Sequence, residues 1–173
     1  SAADRIVAEV KNRTQAAGKI ILFGHSAGGQ FVHRWALLGG KKNVDVIAVA
    51  NSGWFTMPDR DIDYPYGIKN VGITDEELGE AFAEPVILFM GEKDVERKPP
   101  FRDTPEADAQ GMNRMERCTN YFRQCKAKAE ELRVPFRWKL ETVEGAAHQG
   151  VKMAEGAAAY IFVKSSEDGN RRV

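Results

Sequence analysis

Net charge and long apolar runs are both absent from this sequence of 173 residues. Its 25 basic and 25 acidic residues cancel, so no long-range field would attract it to nucleic acid or to an anionic membrane. No apolar stretch approaches the roughly 20 residues that a membrane-spanning helix needs, and residues 1–5 lack the charged-then-apolar order of a secretion signal. We therefore expect neither nucleic acid nor membrane as a partner.

Cysteine and histidine are also scarce, with two and three residues respectively. Cys118 and Cys125 fall in one predicted helix about 10 Å apart along its axis, whereas a disulfide needs Cα atoms within about 7 Å. We expect two free thiols, with pairing to a cysteine outside this chain as the alternative. No Cys or carboxylate cluster accompanies the histidines at ligand spacing, so we expect no metal site.

Apolar periodicity and turn residues predict alternating helices and strands. This order indicates an α/β fold, a mostly parallel sheet with helices on both faces. We expect one core over residues 1–164, with a lid-like excursion at 51–84 and a polar tail at 165–173. The predicted helices are 2–16, 30–38, a capped turn beginning at Thr74, 104–132 with a break near Gly111, and 151–163; the predicted strands are 19–23, 44–50, 86–90 and 136–143.

The pentapeptide Gly24-His25-Ser26-Ala27-Gly28 lies between a predicted strand and a predicted helix. This is the setting of a nucleophile elbow, in which a serine is held in a strained turn at the end of a strand. The residues two before and two after the serine must be almost free of side chain, and Gly24 and Gly28 meet that need. The alternative, that Ser26 is an ordinary turn serine, is less favoured because the predicted strand and helix flank the motif.

A nucleophilic serine needs a base, and the base needs a carboxylate that orients it. Asp94 follows the predicted strand 86–90 in the turn Gly-Glu-Lys-Asp, where Glu92 and Glu96 are competing carboxylates. His148 follows the predicted strand that ends near Val143, in Gly-Ala-Ala-His. The other two histidines are weaker candidates for the base, since His25 lies inside the elbow and His33 lies two turns into the next helix.

These three motifs, in the order nucleophile, acid and base, resemble the α/β-hydrolase superfamily over roughly residues 2–163. The resemblance implies that Ser26 is the nucleophile, His148 the general base and Asp94 the orienting carboxylate. It further implies that the amide N–H of Ala27 is one donor of an oxyanion hole. Because a triad and an oxyanion hole suffice for acyl transfer, we expect no cofactor.

The family has several strands before the elbow, whereas this sequence has one helix there. We therefore expect this chain to be the carboxyl-terminal part of a longer polypeptide, whose remaining amino-terminal strands pack against residues 19–23. Nothing before Gly24 supplies a second oxyanion donor. A minimal hydrolase is the alternative.

The resemblance extends to the esterase and polyester-depolymerase branch, which implies a small-molecule or polymeric ester substrate and favours a secreted or periplasmic location. Aromatic residues of the excursion, Trp54 and Phe55, are predicted to line the substrate pocket, and His25 is predicted beside them.

Charged residues at 59–63 and 96–103 are expected to form a solvated rim. If their basic members converge, an acidic substrate such as a polyanionic amide polymer would fit. An amidase or peptidase with the same triad, and a non-catalytic hydrolase-like binding protein, are the alternative functions.

Overall fold

Four parallel strands form the centre of the protein, in a computed structural model that describes residues 2–14, 18–39 and 43–164. The strands lie in the order of the sequence, and each pairs in parallel with the next. The helices are α1 (Ala2–Thr14), α2 (Ala27–Leu37), α3 (Asp75–Ala83), α4 (Pro105–Asp108), α5 (Arg114–Leu132) and α6 (Gly150–Ala159), which continues into a π-helical turn (Tyr160–Lys164); the strands are β1 (Ile21–His25), β2 (Val46–Ala50), β3 (Val86–Gly91) and β4 (Lys139–Val143).

The alternation of side chains along the strands produces a core on each face of the sheet. Ile47, Val49 and Leu88 face a large cluster that contains residues of α2, α3 and α5. Their neighbours Ala48 and Phe89 face a smaller cluster on the opposite side, formed with α6. Helices therefore cover both faces, and the fold predicted from the sequence is confirmed.

The first strand is less buried than its apolar composition predicts. Within the described residues, β1 is an edge strand that pairs with β2 alone, and Ile21, Leu22 and Phe23 are only half-buried. Helix α1 beside it has no buried residue, and Ile6 is 64% exposed. The apolar residues of this end of the molecule are thus incompletely covered.

The excursion between β2 and β3 begins as part of the core and then reaches the surface. Residues 51–58 are all buried, whereas residues 60–64 are exposed. Helix α3 begins at Thr74 with the predicted capping box, since the Glu77 N–H donates to the Thr74 hydroxyl and the Thr74 N–H donates to the Glu77 carboxylate.

The predicted helix 104–132 is divided into α4 and α5, and the break surrounds Gly111, whose φ is +146°. Cys118 and Cys125 are both buried free thiols on α5. The polar tail predicted at 165–173 and the end of the first predicted helix at 15–16 lie outside the described residues. None of the helices described is sufficiently long and apolar to span a membrane.

Candidate active site

Ser26 occupies the turn between β1 and α2 in a conformation that L-residues seldom adopt. Its φ is +55° and its ψ is −114°, and its N–H donates to the Ala50 carbonyl at 2.9 Å. This hydrogen bond to the end of β2 holds the strained turn in place. Ser26 is half-buried, and the next two residues, Ala27 and Gly28, are exposed, so the turn faces solvent on one side.

The close packing of α2 against the strands requires glycine at Gly24 and Gly29, but not at Gly28. A Cβ at Gly24 would collide with the Gly28 carbonyl and would lie 2.7 Å from Val32 Cγ2, and a Cβ at Gly29 would lie 2.7 Å from Ser52 Oγ and 2.9 Å from the Ala50 oxygen. A Cβ at Gly28 would meet nothing within 4 Å. The prediction that Gly28 must lack a side chain is therefore corrected, and Gly29 carries that constraint.

The structure brings Ser26, His148 and Asp94 together at the carboxyl ends of β1, β4 and β3. Ser26 Oγ lies 2.9 Å from His148 Nε2, and His148 Nδ1 lies 2.7 Å from Asp94 Oδ2. The Asp94 side chain is 3% exposed and that of His148 is 27% exposed. The competing carboxylate Glu92 instead accepts a hydrogen bond from the Gly145 N–H at 2.7 Å, and Glu96 forms an ion pair with Lys98.

The proton positions follow from the partners of the imidazole. An ionised carboxylate only accepts hydrogen bonds, so His148 Nδ1 carries the proton and donates it to Asp94. In the neutral ring Nε2 is then the acceptor, and the Ser26 hydroxyl donates to it. This arrangement allows His148 to remove the serine proton.

Asn51 fixes the relative positions of the loops that carry the acid and the base. Its amide donates to the Ala147 carbonyl at 3.0 Å, and its side-chain oxygen accepts from the Gly91 N–H at 2.8 Å. It is 4% exposed and has a φ of +46°. The sequence analysis missed this residue; its one signal is its place directly after a buried strand.

A second residue that the sequence analysis missed, Arg114, contacts the carboxylate of Asp94. Its Nη1 lies 3.1 Å from Asp94 Oδ1, and the two side chains are 5% and 3% exposed. The two residues are far apart along the chain and lie on different elements, so no local pattern connects them. The pair adds a buried positive charge behind the carboxylate.

His25 lies against the imidazole of His148. The ring centroids are 4.7 Å apart, and His25 Nε2 is buried without a hydrogen-bond partner among the described residues. Burial, followed by the proximity of His148, lowers the pKa of His25. A neutral ring at this position leaves His148 as the group that gains the proton. The substrate-binding role of His25 stays a prediction.

The aromatic residues predicted to line a substrate pocket lie at different depths. Phe55 is 0% exposed and stacks on Tyr121, with ring centroids 4.5 Å apart, so it contributes to the core. Trp54 is 8% exposed and is covered by the Arg34 guanidinium, 4.3 Å from the ring centroid. Of the two, Trp54 alone has accessible surface.

His33 has a structural place in α2. Its Nδ1 lies 3.1 Å from the Gly29 carbonyl, and its Nε2 accepts a hydrogen bond from the Thr56 N–H. Complete burial lowers the pKa of His33 to about 3, so the ring is neutral at physiological pH. Among residues 2–14, 18–39 and 43–164, no group of three or more His, Cys, Asp or Glu side chains is placed to hold a metal ion.

Several basic residues near the acid loop are paired with carboxylates. Arg97 binds Asp108 through both terminal nitrogens, and Lys98 lies 3.0 Å from Glu96. Arg60 in the excursion pairs with Asp75. These pairs partly neutralise the positive charge that an acidic substrate would need.

No protein-family model and no curated protein sequence matches this chain. Two solved structures are similar to it in both sequence and fold. Poly(aspartic acid) hydrolase-1 from Sphingomonas sp. KT-1 is 33% identical, with a TM-score of 0.82 over 88% of this chain and 58% of that chain. LpqC, a poly(3-hydroxybutyrate) depolymerase from Bordetella parapertussis, is 32% identical, with a TM-score of 0.86 over 92% of this chain and 56% of that chain.

The chain therefore spans a little over half the length of these two structures. Both are hydrolases, and both act on polymers according to their names.

Proposed function

We propose that this chain, which belongs to the α/β-hydrolase superfamily, is part of a serine hydrolase that cleaves carboxylic esters through Ser26, His148 and Asp94. The proposal depends above all on one observation. Ser26 Oγ lies 2.9 Å from His148 Nε2, and the opposite nitrogen of that ring lies 2.7 Å from a buried carboxylate. A binding protein without catalysis has no physical need for this arrangement.

The proposed reaction has two steps. His148 Nε2 takes the Ser26 proton as the serine oxygen attacks the ester carbonyl, and the tetrahedral intermediate collapses as His148 returns the proton to the departing alcohol. Water then attacks the acyl-enzyme while His148 takes its proton. The second intermediate expels Ser26 Oγ, which regains the proton, and the carboxylic acid is released.

The amide N–H of Ala27 is the proposed donor to the oxyanion. Ala27 is the first residue of α2, and the N–H groups of the first helical turn have no acceptor within the helix. These groups and the helix dipole both favour a developing negative charge. A second donor from outside the described residues would complete the oxyanion hole.

Ester hydrolysis is the first candidate, and hydrolysis of a polyamide is the second. The depolymerase neighbour supports an ester of the hydroxyalkanoate type, and aromatic and acetyl esters are further candidates from the family resemblance. The poly(aspartic acid) hydrolase neighbour supports an amide polymer, and the same triad is chemically able to cleave both bonds. The ion pairs of Arg60, Arg97 and Lys98 favour the neutral ester.

A further segment of the same polypeptide is the proposed partner of β1. The half-buried side chains of this strand, its unpaired edge among the described residues and the coverage of little more than half of each neighbour support this proposal. An unpaired apolar edge is otherwise a site of aggregation.

Labelling with a fluorophosphonate tests the nucleophile, because this reagent bonds to an activated serine. We expect the wild-type chain to take up the label and Ser26→Ala to take up none, as read by intact mass. A Ser52→Ala variant is the matched control, since Ser52 is a buried serine next to the elbow. Equal labelling of wild type and Ser26→Ala would refute the proposed function.

A substrate series then separates the two candidates. We expect hydrolysis of p-nitrophenyl esters and of poly(3-hydroxybutyrate), with loss of at least about a thousandfold in kcat for Ser26→Ala. Faster cleavage of poly(aspartic acid) than of any ester would favour the amide polymer instead.

A further inference from the structure

We propose that Arg114 is a positioning residue that holds the Asp94 carboxylate in place for His148, an inference that rests on the proposed function. Arg114 is the first residue of α5, whereas Asp94 lies in the turn after β3. Their side chains meet in the interior, with Nη1 and Oδ1 3.1 Å apart. The two proposed triad partners and Arg114 thus form a continuous chain of contacts that ends at Ser26.

The Asp94 carboxylate uses a different oxygen for each partner. Oδ2 accepts from His148 Nδ1 at 2.7 Å, and Oδ1 accepts from Arg114 at 3.1 Å. With both oxygens bound, the carboxylate plane is fixed, and so is the ring of His148 that it orients. An ionised carboxylate at 3% exposure is destabilising unless a cation accompanies it. Arg114 supplies that cation.

Arg114 is itself held rigidly. Its Nη2 donates to the Pro100 carbonyl at 3.2 Å, and its guanidinium carbon lies 5.0 Å from the centroid of the Phe101 ring. The N-cap Asn113 fixes the start of α5 by accepting a hydrogen bond from the Glu116 N–H. The remaining Nε–H is buried with no partner among the described residues. If this position served packing alone, it would not require a buried cation with an unpaired N–H group.

The position of this charge predicts a specific effect on pH dependence. A cation next to Asp94 opposes the positive charge that develops on His148 during the reaction. The other charged or titratable groups that face this site are His25 on β1, Lys93, Glu96 and Lys98 after β3, and Arg117 on α5.

Removal of Arg114 takes this opposing positive charge away. We therefore expect the acidic limb of the kcat/KM profile to move upward by about one pH unit. A purely structural role would lower the amount of active protein without moving this limb.

The test compares Arg114→Gln, which removes the charge, with Arg114→Lys, which retains it. On a p-nitrophenyl ester we expect Arg114→Gln to lose about 10- to 100-fold in kcat/KM at neutral pH and to shift the acidic limb upward. Arg114→Lys is expected to keep the wild-type limb with a smaller loss. Arg123→Gln, an exposed arginine on the same helix, is the matched control and is expected to behave as wild type.

Chemical rescue adds a second readout, which depends on the charge of the missing side chain. A cavity of about 410 Å³, lined by residues that include Lys93, Asp94, Arg114 and His148, opens beside the guanidinium. We expect guanidinium at a non-denaturing concentration to restore Arg114→Ala several-fold. Urea has the same planar shape and no charge, so we expect it to restore nothing.

The outcomes separate this inference from the proposed function. Superimposable pH profiles for Arg114→Gln and Arg114→Lys, or equal rescue by urea and guanidinium, would overturn the role of Arg114. If Arg114→Ala fails to fold, the Gln and Lys profiles still decide. Ester hydrolysis that survives Ser26→Ala would overturn the proposed function itself, whatever the Arg114 variants do.

Discussion

At the scale of single residues, the site depends on side chains that hold its loops in place. Asn51 joins the two loops that carry Asp94 and His148, through one hydrogen bond to each. Its own backbone is in the left-handed region at a φ of +46°, which asparagine tolerates better than most residues. The residue therefore combines a turn conformation with a link between loops that are distant in sequence.

Replacement of Asn51 tests this link. We expect Asn51→Ala to lower the free energy of unfolding by about 2 kcal/mol, because the Gly91 N–H and the Ala147 carbonyl lose their partner. We expect kcat/KM for an ester to fall about tenfold as the loops move apart. Chemical denaturation and steady-state kinetics measure the two effects.

Asn70→Ala is the matched control for this variant. Asn70 also has a positive φ, +59°, but is exposed, so its replacement reproduces the backbone strain without the two hydrogen bonds. Equal losses of stability in the two variants would show that the backbone conformation, rather than the bridge, makes Asn51 necessary.

At the scale of elements, the approach of α2 to the strands decides where the elbow tolerates a side chain. The helix lies against the end of β2, and Gly29 faces the Ala50 carbonyl and Ser52 Oγ. Gly28, one residue earlier, points into open space. The two neighbouring positions thus differ in whether a side chain fits: Gly28 has room for one, and Gly29 does not.

Two alanine substitutions test this difference. We expect Gly29→Ala to lower the free energy of unfolding by about 1–3 kcal/mol, because the new methyl group forces α2 away from the sheet. We expect Gly28→Ala to be neutral or to stabilise the fold by up to about 1 kcal/mol, since alanine favours a helix more than glycine does. Thermal unfolding of the two variants gives the comparison, and equal destabilisation would contradict the packing described.

The sequence predicted the order of the elements and the residues of the proposed triad, because both depend on local patterns. Apolar runs, a capping box at Thr74 and turns at strand ends can each be recognised within a single segment of the sequence. The contact between Arg114 and Asp94 cannot be recognised in this way, because it joins the start of α5 to the turn after β3. The burial of Phe55 was equally hidden, because the depth of a loop depends on which helices cover it.

At the scale of the whole molecule, the sheet has an edge strand at each end, and the apolar composition of β1 distinguishes its end. Strands β2 and β3 are paired on both sides, whereas β1 and β4 are each paired on one side within the described residues. The apolar composition of β1 is typical of a buried parallel strand. Composition reports that a strand is suited to burial, but the identity of its neighbours decides whether it is buried.

Hydrogen exchange on the 173-residue chain measures this asymmetry. We expect the amides of β1 that point away from β2 to exchange far faster than those of β2 and β3, which serve as internal standards. The addition of the proposed partner segment is expected to slow them. Full protection of β1 in a dilute sample of the chain alone would mean that its edge is already covered.

The two thiols of α5 offer a practical advantage for such measurements. Cys118 and Cys125 are buried, and burial raises the pKa of both thiols, so each stays protonated and out of reach of alkylating reagents in the folded state. We therefore expect the native protein to show no labelling of these two cysteines by a maleimide dye. A single cysteine introduced on the surface can then carry a fluorophore that follows the motions of the loop of Asp94 or of the loop of His148. Cys118 and Cys125 need not be replaced for this purpose.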